Sequence, residues 1–405
     1  MLEFENQIQA LRDQFAQSET PVLSLYCDVN PARPENTGKA WLKRAKNALS
    51  DLPEIRTSDS KRDTPLYTRV IELLESERPE ARTLALFARR DERGDLRAER
   101  LDLQVDLPVV DLANGRVDAR YGKPYLTPLL FAVDEYERAG VLHLEGAGWR
   151  FYEVFLGEIR EDREIFAEIT PEDWRELAGL SNRLSEVFTA RAGKPGGRSD
   201  KLSPKDRAVA KVSTWMQRLY GRLSVLLDKT IDRLRIERLV LMGEHWQISH
   251  FESYLSRGTR RLLVARTPHP RGLPSPTGNQ LRERILPTLE EVERQAELEL
   301  LDRIKQQPGL WGMDPVLDAL QLGRVQVWAL PWSLEARIWR CEQERFVAAT
   351  PEIARLICAQ PQEVPLRDHV WDLASEFGAR VEFVRGQAER QVLEEMGGMA
   401  ALLRW

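Results

Sequence analysis

The sequence is poor in cysteine and has no long apolar run. Its 405 residues include three cysteines, Cys27, Cys341 and Cys358, which are too few and too widely spaced to predict a disulfide framework. There is no apolar N-terminal run and no stretch of about 18 apolar residues, so we expect neither a signal peptide nor a membrane span. These features predict a cytoplasmic protein.

Recognisable cofactor and catalytic motifs are lacking as well. The sequence has no phosphate-binding loop and no dinucleotide fingerprint, so we expect no nucleotide and no other cofactor. The five histidines, His143, His245, His250, His269 and His369, do not have the spacing of metal ligands, and we interpret them as structural or surface residues. No Ser-His-Asp or paired-carboxylate pattern stands out, so we predict no catalytic and no metal-binding residues.

Length and charge limit the number of domains and the classes of function that remain. A chain of 405 residues should form two or three domains. The 30% content of charged residues is typical of a soluble globular protein. The formal net charge of -5 argues against a nucleic-acid binder whose whole surface is basic, so any RNA contact must come from local patches.

The first 120 residues show both strand and helix patterns. Residues 2–18 have helical apolar spacing, 21–29 is a run of strand-forming residues, and 82–89 predicts a second strand that ends at a hairpin turn, DERGD. A helix that begins near Lys39 is predicted to turn four basic side chains outward: Lys39, Lys43, Arg44 and Lys46. This basic face is either an RNA contact or simply a solvated helix surface.

The most distinctive segment is 189–211. Its glycines, Gly193, Gly196 and Gly197, surround Pro195, a composition that opposes helix formation. Seven basic residues face only two acidic ones in this segment: Arg191, Lys194, Arg198, Lys201, Lys205, Arg207 and Lys211. The segment predicts a mobile cationic tip suited to RNA phosphates, and the alternative is an ordinary solvated loop.

A long amphipathic helix follows the tip. From Pro204 onward, apolar residues recur at steps of three and four: Val209, Val212, Trp215, Met216, Leu219, Leu223, Leu226, Leu227 and Ile231. Beyond residue 234, strand patterns at 238–243, 261–267, 325–331 and 379–385 alternate with helices, which predicts parallel strands in an α/β domain.

The tip and helix resemble the central domain of the archaeal and eukaryotic class-one peptide-chain release factors. In that family a Gly-Gly-Gln tip precedes a long basic helix, and this sequence has Gly196-Gly197-Arg198 at the tip. Four further segments resemble family landmarks in the same order: 140–161, 230–255, 312–332 and 377–405. The resemblance runs from about residue 120 to the C-terminus and is nearest to bacterial members of the superfamily, which includes Pelota and the hibernation factor Balon.

The resemblance implies an α/β and α+β protein of three domains. Residues 1–120 would form an N-terminal α+β domain. Residues 121–233 would form an RNase H-like α/β domain with the Gly-rich tip and the long helix. Residues 234–405 would form an α/β sandwich that resembles kink-turn-binding ribosomal proteins.

Two departures from the family pattern bear on function. The stop-codon-reading motifs of the family are absent from the comparable segment of this chain, residues 36–49. At the tip, Arg198 replaces the glutamine that positions a water molecule in the family. Arginine cannot accept a hydrogen bond, so it cannot take over that role. The resemblance therefore implies a factor that enters the ribosomal A site for rescue, protection or hibernation rather than stop-codon-dependent release. The expected RNA-binding residues are Lys39, Lys43, Arg44, Lys46, Arg191, Gly193, Lys194, Gly196, Gly197, Arg198, Lys201, Lys205 and Arg207.

Alternatives and partners complete the expectations. The chain could instead be a peptidyl-tRNA hydrolase or release factor with a variant tip, or a ribosome-independent binder or nuclease of structured RNA. The implied partners are the ribosome, with its RNA and tRNA, and a translational GTPase such as elongation factor Tu, bound through the third domain. Some relatives carry a zinc ribbon where Cys341 and Cys358 lie, but each cysteine stands alone here, so we expect no zinc site.

Overall fold

The computed structural model describes residues 20–57, 64–76, 78–91, 94–145, 148–179, 204–268, 278–306 and 308–405, with the side chains of 204–213 and 279 outside the described set. The chain divides into two units. Met1–Glu135 and Glu293–Trp405 form the first, and Tyr136–Val292 forms the second. The helix predicted over 2–18 lies outside the described residues. Among the helices of the described ranges, none has the length and apolar content that crossing a bilayer requires.

The first unit begins with a four-stranded antiparallel sheet. The elements of this part are β1 (Val22–Asp28), α1 (Ala40–Ser50), α2 (Pro53–Arg56), α3 (Leu66–Ser76), β2 (Thr83–Arg90), β3 (Leu96–Leu103), β4 (Val117–Gly122) and α4 (Thr127–Glu135), with 3-10 turns at Pro34–Lys39 and Pro108–Val110. The strand order is β3-β2-β1-β4. The apolar face of α1 packs into the core, where Trp41, Ala45 and Leu49 are buried as their spacing predicted. The two predicted strands, the hairpin and the helix near Lys39 are confirmed.

The second unit is built on a mixed five-stranded sheet. Its elements are β5 (Ala139–His143), β6 (Arg150–Phe155), β7 (Glu158–Asp162), α5 (Pro204–Leu234), β8 (Arg238–Gly243), α6 (His245–Glu252), α7 (Arg257–Leu262), β9 (Leu263–Pro268) and α8 (Gly278–Gln306), whose last residues belong to the first unit. The order is β7-β6-β5-β8-β9, with β5, β8 and β9 parallel and β5 to β7 an antiparallel meander. A helical segment also lies at 171–179. The mixed α/β class is therefore confirmed.

The sheet of the second unit extends past the predicted boundary at residue 233. Because β8 pairs in parallel with β5, the strands expected to open a third domain complete this sheet instead. The unit accordingly continues to Val292. β6 and β7 are separate strands, since Leu156 and Gly157 have φ of 47° and 76° and turn the chain between them.

The rest of the first unit carries two sheets. Its elements are β10 (Gly309–Trp311), α9 (Met313–Gln321), β11 (Val325–Pro331), β12 (Arg337–Cys341), β13 (Phe346–Ala348), α10 (Pro351–Ile357), β14 (Gln362–Pro365), α11 (Leu366–Phe377), β15 (Arg380–Val384), α12 (Gly386–Glu395) and β16 (Ala400–Leu403). The larger sheet has the order β10-β16-β11-β15, and β11 and β15 are parallel as predicted. β16, which was not among the strands predicted to be parallel, is antiparallel to both of its neighbours.

The smaller sheet, β13-β12-β14, contains a disulfide. Cys341 at the end of β12 is bonded to Cys358, the residue that caps the C-terminus of α10. The interpretation of these cysteines as isolated is wrong, because α10 folds back against β12 and β13 and brings its end beside Cys341. Cys27 is buried and free.

A buried network of charges joins α4, α8 and β15 within the first unit. The Glu135 carboxylate lies 2.6 Å from Arg294 and 3.0 Å from Arg385. The Asp134 carboxylate accepts a 2.6 Å hydrogen bond from the Phe383 backbone. Glu297, which is fully buried, accepts a hydrogen bond from the Arg385 backbone, and burial raises the pKa of its carboxyl to about 8 although Arg294 opposes the shift.

Glu297 predicts a pH dependence of stability. Its pKa is higher in the folded than in the unfolded chain, so the folded state holds an extra proton and stability should fall as pH rises from about 5 to 8. We expect Glu297→Gln to flatten part of that slope, measured by thermal melting of the first unit at several pH values. Asp302→Asn, an exposed acid on the same helix, is the matched control and should leave the slope unchanged. An unaltered slope in Glu297→Gln would contradict the assignment.

Gly140 of β5 predicts a steric requirement in the second unit. A Cβ at this position would lie 2.5 Å from the Phe151 ring, which is fully buried. Gly140→Ala should therefore lower the local stability of β5 and β8 by about 2 kcal/mol. Gly221→Ala on α5 has open space and should instead raise stability by about 0.5 kcal/mol. Hydrogen exchange of β5 and β8 amides measures both effects, and equal exchange in the two variants would refute the packing argument.

Candidate nucleic-acid interface

The predicted tip falls largely outside the described residues. Arg191, Gly193, Lys194, Gly196, Gly197, Arg198 and Lys201 all lie there. Lys205 and Arg207 lie in the first turns of α5, but their side chains are outside the described set. The contacts of the tip therefore stay a prediction, and the structure bears on the helix that follows it.

The described part of α5 packs against the core of the second unit along one apolar face. Met216, Leu219, Leu223 and Leu227 are each at most 3% exposed. They pack into the core cluster of the second unit together with residues of the β5–β6 and β8 strands. The predicted apolar stripe is thus confirmed where side chains are described, and it fixes the axis of a 31-residue helix.

Aromatic rings form the most buried part of the surface on which α5 packs. Trp149, in the connection between β5 and β6, lies 4.6 Å from Phe251 and 5.3 Å from Tyr220, measured between ring centroids. Tyr220 also contacts His250 at 5.4 Å. Burial lowers the pKa of His250, so this ring favours the neutral form. The packing of α5 and α6 against one tryptophan gives α5 a rigid base.

Polar contacts hold the second half of α5 as well. Ser224 donates a 2.8 Å hydrogen bond to the Tyr254 carbonyl, and Asp228 accepts one from Ser256 at 3.0 Å and another from Thr259. These bonds join α5 to the turn between α6 and α7. Together with the apolar face they prevent rotation of the helix about its axis.

The outer face of α5 is basic, a feature that the sequence analysis did not single out. Arg218, Arg222 and Lys229 are exposed and are spaced by four and seven residues. This spacing continues the line of Arg207 and Lys211 at the start of the helix. The same helical period that revealed the apolar stripe would have revealed this one, had it been applied to the charged residues.

A buried carboxylate organises the predicted RNA-contact region of the first unit. Asp28, at the end of β1, has a side chain that is 1% exposed. Its carboxylate accepts hydrogen bonds from Arg116 at 2.8 Å, Asn36 at 3.0 Å and the Asn30 backbone at 3.1 Å, and pairs with Arg33. Burial raises the pKa of Asp28, but the bonds from the two arginines outweigh it and hold the pKa below its ordinary value. The turn before α1 is therefore fixed by Asp28.

The four predicted basic residues of α1 divide into two groups. Arg44 donates to the backbone carbonyls of Glu35 and Asp28, at 3.1 Å and 3.3 Å, so it supports the Asp28 turn. Lys46 pairs with Glu75. Lys39 is exposed and donates to the Glu75 carbonyl at 2.9 Å, whereas Lys43 is exposed with no partner among the described contacts. Lys39 and Lys43 remain the accessible charges of this face.

Comparison with known families identifies the central segment. Residues 124–288 match the model of the bacterial archaeo-eukaryotic release factor family 10. This segment is similar to that family. The match spans α4 and nearly all of the second unit, so the predicted resemblance to a bacterial relative of these factors is confirmed there. It also runs through β8 and β9, in agreement with the sheet and not with a boundary at residue 233.

Several solved structures are similar to most or nearly all of the chain. The archaeal translation termination factor aRF1 is 15% identical, covers 99% of this chain and 98% of its own, and has a TM-score of 0.23. Archaeoglobus fulgidus Pelota is 13% identical over 80% of this chain and 79% of its own, with a TM-score of 0.28. S. cerevisiae Dom34 is 9% identical over 80% of each chain, with a TM-score of 0.36. All three TM-scores are below 0.5. No curated protein is similar enough to the chain to count as a match.

The Asp28 network predicts a strong local effect. Asp28→Asn leaves Arg33 and Arg116 without their buried carboxylate and should destabilise the four-stranded sheet by about 3 kcal/mol at pH 7. Because the pKa of Asp28 is lowered by folding, the stabilisation should also be lost as pH falls below about 4. Hydrogen exchange of β1 and β4 measures the change. Asp51→Asn, an exposed acid at the end of α1, is the control, and a similar effect in both variants would refute the role of Asp28.

Proposed function

We propose that the chain is a ribosome-associated translation factor that binds the ribosomal A site and acts in rescue, protection or hibernation of ribosomes. One observation carries the proposal. The release-factor segment at 124–288 contains the sequence Gly196-Gly197-Arg198 directly ahead of the 31-residue helix α5. In the release-factor family this arrangement carries the tip that works in the peptidyl transferase centre.

The seating of α5 supports the proposed reach. A helix of 31 residues is about 46 Å long, and its described contacts with the core lie between Trp215 and Leu234. The helix start adds the positive end of the helix dipole to the basic residues of the tip. Exposed Arg218 and Lys229 continue that positive charge along the outer face. RNA phosphates are the matching surface.

Arg198 favours binding over hydrolysis. Its guanidinium donates hydrogen bonds and stays cationic, so it suits a phosphate or a base edge and cannot position a water molecule for attack on an ester. We therefore propose that the tip occupies the site without cleaving peptidyl-tRNA. A second contact would come from Lys39 and Lys43, while Arg44 and Lys46 act inside the first unit.

A translational GTPase such as elongation factor Tu is the proposed delivery partner. The support for it is the family resemblance of the chain. No group of residues in the described ranges singles out its docking site.

Ribosome co-sedimentation tests the proposal. The variant Gly196→Ala/Gly197→Ala/Arg198→Glu should bind ribosomes at least about tenfold more weakly than the wild type, because it stiffens the tip and replaces one of its positive charges by a negative one. Arg390→Glu, an exposed charge reversal on α12, is the matched control and should bind normally. Unchanged binding of the triple variant would reject the role of the tip.

Two further outcomes would favour the other functions. Release of peptide from ribosome-bound peptidyl-tRNA by the wild-type chain, lost in Arg198→Ala, would replace the proposal with a variant hydrolase. Cleavage of structured RNA in the absence of ribosomes would replace it with a nuclease. We expect neither activity.

A further inference from the structure

The small sheet of the first unit has an unusually thin core. This subdomain comprises β12, β13, β14 and α10, over 337–365. Its buried cluster consists of Cys341, Ala348, Ala354 and Cys358, with Trp339 and Phe346 partly buried against it. Two of the four buried residues in this cluster are thus the bonded cysteines. With so little apolar area, the disulfide is the main link between the sheet and α10.

The helix of this subdomain depends on that link. α10 has only seven residues, and Ala354 is the one it buries. Its larger apolar side chains, Ile353, Leu356 and Ile357, are 37%, 82% and 49% exposed. A helix this short is not stable without tertiary support. Cys358 caps its C-terminus, so the disulfide fixes the end of the helix to β12.

The disulfide faces an open polar pocket. A cavity of about 370 Å³ is lined by both cysteines, by Gln343, Gln360 and Gln362, and by the charged residues Arg340, Glu342 and Glu344. Cys358 is 9% exposed and Cys341 is 2% exposed, so Cys358 is the more exposed residue of the pair. The glutamine side chains supply amide donors and acceptors beside it, which suits a small peptide-like molecule.

We propose that Cys341–Cys358 is a thiol–disulfide exchange site, entered from this pocket by a small peptide thiol of the glutathione class. The thiolate of the small molecule attacks Cys358 Sγ, the protein S–S bond breaks, and Cys341 leaves as a thiolate that takes a proton from water. A second thiolate then attacks the small molecule's sulfur in the mixed disulfide. This step releases the oxidised small-molecule dimer and leaves Cys358 as a thiol. Oxidation by glutathione disulfide is the reverse sequence, so no other oxidant is needed.

The redox state of the Cys341–Cys358 pair determines whether α10 is ordered. In the oxidised chain the helix end is covalently fixed, and in the reduced chain Ala354 is its remaining buried anchor. Reduction should therefore release 351–357 while the rest of the first unit stays folded. Cys27 is a contrasting thiol, because it is fully buried and burial raises its pKa to about 12.

Exchange is tested on the full chain in buffers of reduced and oxidised glutathione with a chelator present. Alkylation followed by peptide mass spectrometry should show Cys341 and Cys358 opening and closing together, with a mixed disulfide on Cys358 as the intermediate. Cys27→Ser is the matched control and should give the same titration. The proposed site would be overturned if the Cys341–Cys358 disulfide neither opened nor closed in the glutathione buffers, or if the mixed disulfide formed on Cys341.

Limited trypsin digestion tests the structural consequence. Cleavage after Arg355, which is exposed on α10, should be about tenfold faster in the reduced than in the oxidised wild type. Cys341→Ser/Cys358→Ser should be cleaved at the fast rate in both buffers. Equal rates in reduced and oxidised wild type would overturn the release of α10, and this comparison does not require the variant to fold.

A cation is the competing occupant of the reduced pair. The two sulfur atoms and a carboxylate oxygen of Glu344 lie within 4.8 Å of one another. If added Zn²⁺ protects both reduced thiols from alkylation, and glutathione disulfide then fails to close the bond, the exchange proposal is wrong. Closure by glutathione disulfide in the presence of Zn²⁺ supports it.

Discussion

The burial of one face of α5 against the aromatic core of the second unit is the constraint on which the account depends. Trp149 contacts both Tyr220 of the helix and Phe251 of α6, so three separate parts of the chain meet at one ring. Most of the stability of a helix in a protein comes from the packing of its amphipathic face, and its direction is set by the elements that it packs against. The apolar face therefore does more than fill a core, because it gives the segment before α5 a rigid support.

Charged residues have two different roles in the described parts of the chain. In the first unit, the buried Asp28 carboxylate forms ion pairs with Arg33 and Arg116 and fixes the turn ahead of α1. Glu135 does the same for Arg294 and Arg385 near the end of α4. On α5, by contrast, Arg218 and Lys229 are exposed and stand apart from any such network in the described residues. Paired arginines thus maintain the fold, and exposed cations are the ones available to a partner.

Local patterns were predicted well from the sequence, and long-range pairings were not. The strand at 325–331 and the buried face of α1 follow from apolar periodicity, which is a property of neighbouring residues. The pairing of β8 with β5 joins residues about a hundred positions apart, so no local pattern reveals it. The same holds for Cys341 and Cys358, which only the return of α10 brings together. Arg44 looked like a surface charge because its acceptors are backbone carbonyls, which leave no trace in the sequence.

The central claim is that a cationic glycine segment on a firmly seated helix docks against ribosomal RNA. Cryo-microscopy of the wild-type chain bound to ribosomes tests it most directly. The account predicts density for the second unit in the A site, with α5 directed at the peptidyl transferase centre and residues 193–198 touching RNA. A chain bound elsewhere on the ribosome, or one whose residues 193–198 meet only protein, would contradict it.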